Sequence, residues 1–190
     1  MGSTVDAAPL IPTIETPRLR LRPYSLDDFE AYAAMWADPA VVRYIGGLPF
    51  SREAAWTRFL RQIGLWYHLG FGFFALEHRQ TGAFAGEAGF HDLHRAISPS
   101  LEGTMEAGWA LVAPMQGQRL AEEAMRAAID WAIQHGRGER LTCIIDPGNA
   151  PSLRVAGKLG FAEFARAKYA GNPVVMLERL RSGAATSAGR

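Results

Sequence analysis

Cysteine occurs once in these 190 residues, at Cys143. A single thiol supports neither an internal disulfide framework nor a cysteine zinc cluster. Its place within an apolar run reads as a buried, inert thiol. Long hydrophobic runs are also missing: none approaches the roughly 20 residues of a membrane-spanning helix. The opening MGSTVDAAPL has neither the basic start nor the apolar stretch of a secretory signal. It begins Met-Gly, but Asp6 stands where a myristoylation signal has Ser or Thr. Net charge is small, at +1 with a pI of about 8.0, whereas nucleic-acid readers show a basic stripe and a domain pI above ~9. These absences make a soluble cytoplasmic protein, with no membrane or nucleic-acid partner, the expectation.

What is present is an ordinary globular composition, 48% hydrophobic and 21% charged. The length suits one domain with a sizeable core. No internal repeat or linker divides it. Residues 13–181 are expected to form that domain, with flexible termini at 1–12 and 182–190. RLRLRPY, residues 18–24, alternates like a strand. Ser25 and Asp28 resemble a capping box for a helix whose face is Leu26, Phe29, Ala33 and Trp36, stopped by Asp38-Pro39. Ser51 caps a second helix carrying Ala55, Phe59, Leu60 and Ile63. Trp56, Trp66, Tyr67 and the aromatics of 71–74 are expected mostly in the core. FGFFALEH and AFAGEAGF flank RQTG as a hairpin with Gly82 in the turn. Residues 106–112 form the next strand. A helix follows with Leu120, Ala124, Ala128, Trp131 and His135 on one face, and Gly136 as C-cap. Residues 141–145 are a short buried strand. Asn149 caps a short helix over 150–159, with Gly160 at its end. Two last strands meet at the GN of 171–172.

The strand at 106–112 feeds its helix through QGQRLA, residues 116–121. The first N–H groups of a helix have no internal partners, and the helix dipole adds about half a positive charge there. A pyrophosphate fits such an end, and Gly117 lets the backbone approach it. An ordinary strand-to-helix turn is the competing reading of this segment alone. It is neither a P-loop, since no G-K-[ST] follows, nor G-x-G-x-x-G. A second segment, NAPSLRVAGKLGF at 149–161, lies after the next strand.

Together the two segments resemble the GNAT superfamily of N-acetyltransferases. The first matches that family's phosphate motif, Gln or Arg, two free positions, Gly, one free position, then Gly or Ala, at Gln116 and Ala121. The second matches its Asn–Ser–Lys-Leu-Gly-Phe pattern at Asn149, Ser152, Lys158, Leu159, Gly160 and Phe161. TPRLRLRPYSLDDFEAYAAMWADPAVVRYIG, together with GFHDLH, is similar to the Rim-type branch, the ribosomal-protein N-terminal acetyltransferases. The resemblance spans roughly residues 14–180. Two positions depart from it: Arg119 stands where the motif has Gly, and Ala156 where many relatives have a Tyr that protonates the leaving thiolate. The Rim-type branch commonly lacks that Tyr as well.

The resemblance implies a mixed α/β (α+β) fold: a central twisted, mostly antiparallel sheet, splayed between its fourth (106–112) and fifth (141–145) strands, with helices on both faces. It implies acetyl-CoA as co-substrate, no metal, and a primary amine acceptor, either a small molecule or a protein N-terminus. Cofactor contacts would come from the backbone at Leu111 and Val112, from Gln116, Gly117, Gln118, Arg119, Leu120 and Ala121, and from Asn149, Ser152 and Lys158. An amine protonated at neutral pH must lose a proton before attack. Glu106 is the first candidate to accept it and Glu87 the second; each also reads as an ordinary strand carboxylate. Ser152 is a candidate proton donor to the thiolate, or a helix-start hydrogen-bonding residue. His91 and His94 flank Asp92, but catalytic zinc normally has three protein ligands; these residues are expected in a loop bordering the acceptor cleft. The runner-up function is a non-catalytic acyl-CoA-binding or partner-binding module. The acceptor's identity is not legible, and a homodimer is left open.

Overall fold

The computed structural model describes residues 11–181; of the expected flexible segments 1–12 and 182–190, all but residues 11 and 12 lie outside the described residues. Ile11 packs against the main core.

Ile14–Glu15 (β1) pairs antiparallel with Leu19–Arg22 (β2), where Leu19 and Leu21 alternate inward. The Ser25–Asp28 capping box is formed. It opens a 3-10 turn, Leu26–Asp28, ahead of α1, Phe29–Ala37. Leu26, expected on the inner face, is exposed because it belongs to that turn; the face is Phe29, Tyr32, Met35 and Trp36. Asp38 ends α1, and its carboxylate accepts from Ala40 N at 2.8 Å. That contact starts the single-turn α2, Pro39–Val42, which no periodicity reveals. Ser51 caps α3, Arg52–Leu69, and Gly70 closes it in the left-handed region. Ala55, Phe59, Gln62, Leu65 and Trp66 form its inner face. Leu60 and Ile63, expected there, lie outside.

Phe73–His78 (β3) and Phe84–His91 (β4) form the hairpin, followed by Met105–Leu111 (β5). Then come α4 (Leu120–Gln134), β6 (Arg140–Ile145), α5 (Ala150–Lys158), β7 (Ala162–Tyr169) and β8 (Asn172–Leu180). The sheet order is β1-β2-β3-β4-β5-β6-β8-β7, and only β5 and β6 are parallel. Helices α4 and α5 cover one face, with Leu120, Ala124, Met125 and Ala128 packed on Leu21, Leu76, Ala88 and Phe90. On the other, α1, α2 and α3 enclose Tyr32, Trp36 and Phe59 against Ala110 of β5. Burying each such large side chain stabilises the fold by about 1.5–3 kcal/mol. The expected mixed α/β sheet with helices on both faces is therefore what the chain forms.

Candidate active site

Strands β5 and β6 touch only through Met105↔Leu141 and Glu106↔Thr142. The hydroxyls of Thr104 and Thr142 meet at 2.8 Å beside this junction and pin it. Past it the strands part, giving the expected splay. On its other edge β5 remains paired with β4 from His91↔Glu106 to Gly86↔Leu111. Val112 N donates to Ala85 O at 3.1 Å, so Val112, expected to offer a free amide, spends it on β4. Amides alternate between the two edges of a strand. The groups aimed at the opening are therefore those of Trp109 and Leu111.

The chain leaves β5 through a short 3-10 turn, Ala113–Met115. Gln116 Nε2 donates to Leu111 O at 3.0 Å and Gln118 Nε2 to Pro114 O at 2.9 Å. Both side chains thus stiffen the turn rather than reach outward. Arg119 is the N-cap of α4 at φ 62°, ψ 17°, with no side-chain cap. A left-handed residue at this point explains why Gly suits the motif, and a non-glycine residue there carries about 1–2 kcal/mol of strain. The N–H groups opening α4, at Leu120 and Ala121, are left without a side-chain cap. Glu123 is held by Thr16 and Arg18, and Glu122 by Arg126 and Lys158. Lys158, at the end of α5, is therefore brought beside the first turn of α4. Asn149 caps α5 through its side-chain oxygen on Ser152 N at 3.1 Å, leaving its amide hydrogens free to donate. Ala156 is wholly buried, so that position presents no acid to the opening.

A cleft of about 300 Å³ lies over the splay on the α1–α3 side. Glu87, His91, Glu106, Ser152 and the buried Cys143 line it. The loop after α2 (43–47) and the β7–β8 turn form its rims. On β4 and β5, Glu87, Gly89 and His91 share a face with Glu106, Gly108 and Ala110. Gly108 is required there: a Cβ would stand 2.7 Å from the Phe73 ring. The two carboxylates lie at opposite ends of this face, roughly 13 Å apart along the strands. Glu87 is buried and accepts from Tyr24 Oη at 2.7 Å, Arg58 Nη2 at 3.0 Å and Gln62 Nε2 at 3.2 Å. Three donors occupy it, and they tie α3 and the end of β2 to the sheet.

Glu106 is differently held. Its Oε2 accepts from Arg95 Nε at 2.7 Å, and its Oε1 lies 3.1 Å from His91 Nε2. Burial pushes its carboxyl up, but His91 and Arg95 outweigh this and hold it below the usual range. Burial also pushes the His91 imidazole below its usual value, and Glu106 only partly offsets that. His91 is thus neutral at neutral pH. The 3.1 Å contact is off the line of a well-formed hydrogen bond, and Nδ1 is buried without a partner. His91 was expected in a loop; it is the last residue of β4, and only Asp92 and His94 belong to the loop beyond. The Glu87-x-Gly89-x-His91 alternation was the signal for this, read only as a hairpin strand. Arg95, stacked over Tyr169 at 4.5 Å, gave no sequence signal. Among the described residues no group of three or more His, Cys, Asp or Glu is placed to hold a metal. Burial pushes the Cys143 thiol far up, which keeps it inert.

The site is thus a polar cleft over a parted α/β sheet, beside an uncapped helix start. Residues 18–162 match the acetyltransferase (GNAT) domain model, and the chain belongs to that family. A Bordetella pertussis protein described as a GNAT-family acetyltransferase is 31% identical, with a TM-score of 0.78 over 89% of this chain and 99% of that one. An uncharacterised N-acetyltransferase, p20, of Bacillus licheniformis is 26% identical over 78% of this chain and 82% of its own length. A ribosomal L7/L12 α-N-protein acetyltransferase, RimL, solved in complex with coenzyme A, shares the fold at a TM-score of 0.72 and 17% identity. That alignment covers 89% of this chain and 98% of RimL. No helix among the described residues is long and apolar enough to cross a membrane.

Proposed function

We propose that the protein transfers the acetyl group of acetyl-CoA to a primary amine, on a small molecule or a polypeptide N-terminus, by direct attack within a ternary complex. The observation that carries this is the parting of β5 from β6 at Glu106↔Thr142. It aims the Trp109 and Leu111 amides into a gap that has the uncapped start of α4 at one end and the His91–Glu106 pair at the other. These residues fit the co-substrate. The N–H groups of Gly117, Leu120 and Ala121, with Arg119 and Lys158, would hold its phosphates. Leu111 and the Asn149 side-chain amide would hold its pantetheine arm. When bound, acetyl-CoA supplies the activated acyl group.

Holding both reactants together supplies proximity. A backbone amide on β5, at Trp109 or Leu111, would donate to the thioester oxygen and stabilise the negative charge developing there. The acceptor's proton goes to the Glu106–His91 pair. Neutral His91, its Nε2–H toward Glu106, keeps a lone pair on Nδ1 to receive that proton. Glu106, kept ionised by Arg95, then stabilises the imidazolium. Glu87 with its three donors shapes the wall rather than moving a proton. Ser152, on the cleft at the first turn of α5, is placed to give a proton to the departing thiolate.

The test is thiol release from acetyl-CoA against a panel of small amines and peptides with free N-termini. Turnover with any member supports the reading. Tight coenzyme A binding with no turnover on any member would favour the non-catalytic binding module.

A further inference from the structure

Trp56, Leu60, Ile63 and Tyr67 on α3 are 38%, 46%, 52% and 47% exposed, and none of them lines the cleft. Their spacing of four, three and four residues keeps them within about 60° of arc on the helix. It is the spacing of an a/d seam. Tryptophan, leucine, isoleucine, tyrosine is also the same sequence of shapes from either end: aromatic, aliphatic, aliphatic, aromatic. A two-fold axis crossing α3 between Leu60 and Ile63 therefore sets Trp56 of one copy on Tyr67 of another, and Leu60 on Ile63. A patch that reads alike in both directions is self-complementary, as a symmetric dimer requires.

Charge agrees one rung further out. The same operation places Glu53 of one copy opposite Gly70 of the other. Gly70 ends α3 without a side chain, and Arg137 fills the space beside it. Its Nη2 stands 2.7 Å from where a Gly70 Cβ would be, and its Nη1 donates to Leu69 O at 2.9 Å. Glu53 and Arg137 are both exposed. Among the described residues neither joins an ion pair. An acid at one end of the seam and a base at the other meet twice in the antiparallel pair. We propose that α3 packs on α3 of a second copy of this chain, antiparallel, in a symmetric homodimer. One helix seam is smaller than the roughly 800 Å² per partner of a standard interface, which places it among the transient contacts.

Sedimentation velocity over a concentration series, with the full chain, tests this. The expected result is a mass rising from one chain to two. Ile63→Glu, at a half-exposed position, should weaken association at least tenfold while leaving the circular-dichroism melting curve in place. Glu53→Arg and Arg137→Glu should each weaken it, and the double swap should restore it. Arg137→Glu is checked by melting, and the Glu53→Arg arm stands alone if that variant unfolds. A single-chain mass at several hundred micromolar overturns the proposal and leaves the stripe to a protein of another kind. So does a dimer indifferent to Ile63→Glu, or a double swap that restores nothing.

Discussion

At the scale of the residue, the cleft separates two carboxylates by what surrounds them. Glu87 accepts from three donors, whereas Glu106 faces a guanidinium on one oxygen and a buried imidazole on the other. The proposed roles follow, and they predict different mutant phenotypes. His91→Asn should lower kcat by about 10²-fold or more, the usual weight of a general base, with coenzyme A affinity unchanged by calorimetry. Glu106→Gln should lower kcat as well. An unchanged kcat in both, with chemistry shown to be rate-limiting, would assign proton removal to solvent. The acid limb of kcat/KM carries a sign. His91 must be neutral to act, and its pKa is held below the usual ~6.5. Activity should therefore persist below pH 6.5 and fall only as pH drops through the lowered value. Glu106 raises that pKa, so the residual activity of Glu106→Gln should show an acid limb at still lower pH. Stability has the same direction. The unfolded chain protonates His91 near pH 6.5 and the folded chain does not, so the contribution present above that pH is lost as pH falls. His91→Asn should flatten this slope in urea titrations.

At the scale of the element, the splay rests on a small contact. Thr142, on the last rung shared by β5 and β6, is buried against Thr104, the residue before β5. Thr142→Val keeps the shape but leaves Thr104 with only its bond to Leu101 O. The expected cost is about 1 kcal/mol, read as a Tm lower by roughly 2–4 °C for a chain of this size. The turn into α4 poses the opposite case. Arg119 is a left-handed residue in an uncapped start, and its cation sits where the helix dipole is already positive, an arrangement that only a bound anion makes favourable. Arg119→Gly should hold or slightly raise Tm in the absence of ligand while weakening coenzyme A. Equal weakening of coenzyme A and its 3′-dephospho form places Arg119 on the pyrophosphate. Weakening of coenzyme A alone places it on the 3′-phosphate, and tighter binding by the variant would show Arg119 to be an obstruction. The chain signalled these elements unevenly. Caps at Ser25, Ser51 and Asn149 were legible because a side-chain oxygen and its N–H partner lie within three residues. The Val112 amide was misjudged because its donor direction depends on strand phase against β4, a long-range fact. Leu60 and Ile63 fit an inner face by spacing because α3 carries two apolar stripes, and periodicity alone does not say which one meets the sheet.

At the scale of the whole molecule, the family was legible because its motifs are local: a strand, a glycine-containing turn and a helix, then a capped helix after the next strand. The proposed catalytic pair was not, because His91 and Glu106 are fifteen residues apart in sequence and meet only as cross-strand partners. Arg95 reaches Glu106 from the loop between those strands, and no spacing rule covers such a contact. Likewise, the cleft joins the loop after α2 to the β7–β8 turn, segments whose approach depends on the full sheet order. That arrangement gives the last prediction. The proposed co-substrate contacts come from β5, α4 and α5, elements drawn from both sides of the splay, so a bound molecule would bridge strands that the fold itself leaves apart. Ligand that binds only the folded state stabilises it by mass action, by about 2.7 kcal/mol at a hundredfold excess over Kd. For this chain length that corresponds to a Tm rise of roughly 5–10 °C. Native-state hydrogen exchange should slow most at the amides of Trp109, Leu111, Leu120 and Ala121, and little in β1–β3. Protection without that pattern would move the binding site elsewhere, and no shift at millimolar coenzyme A would remove the proposed reaction.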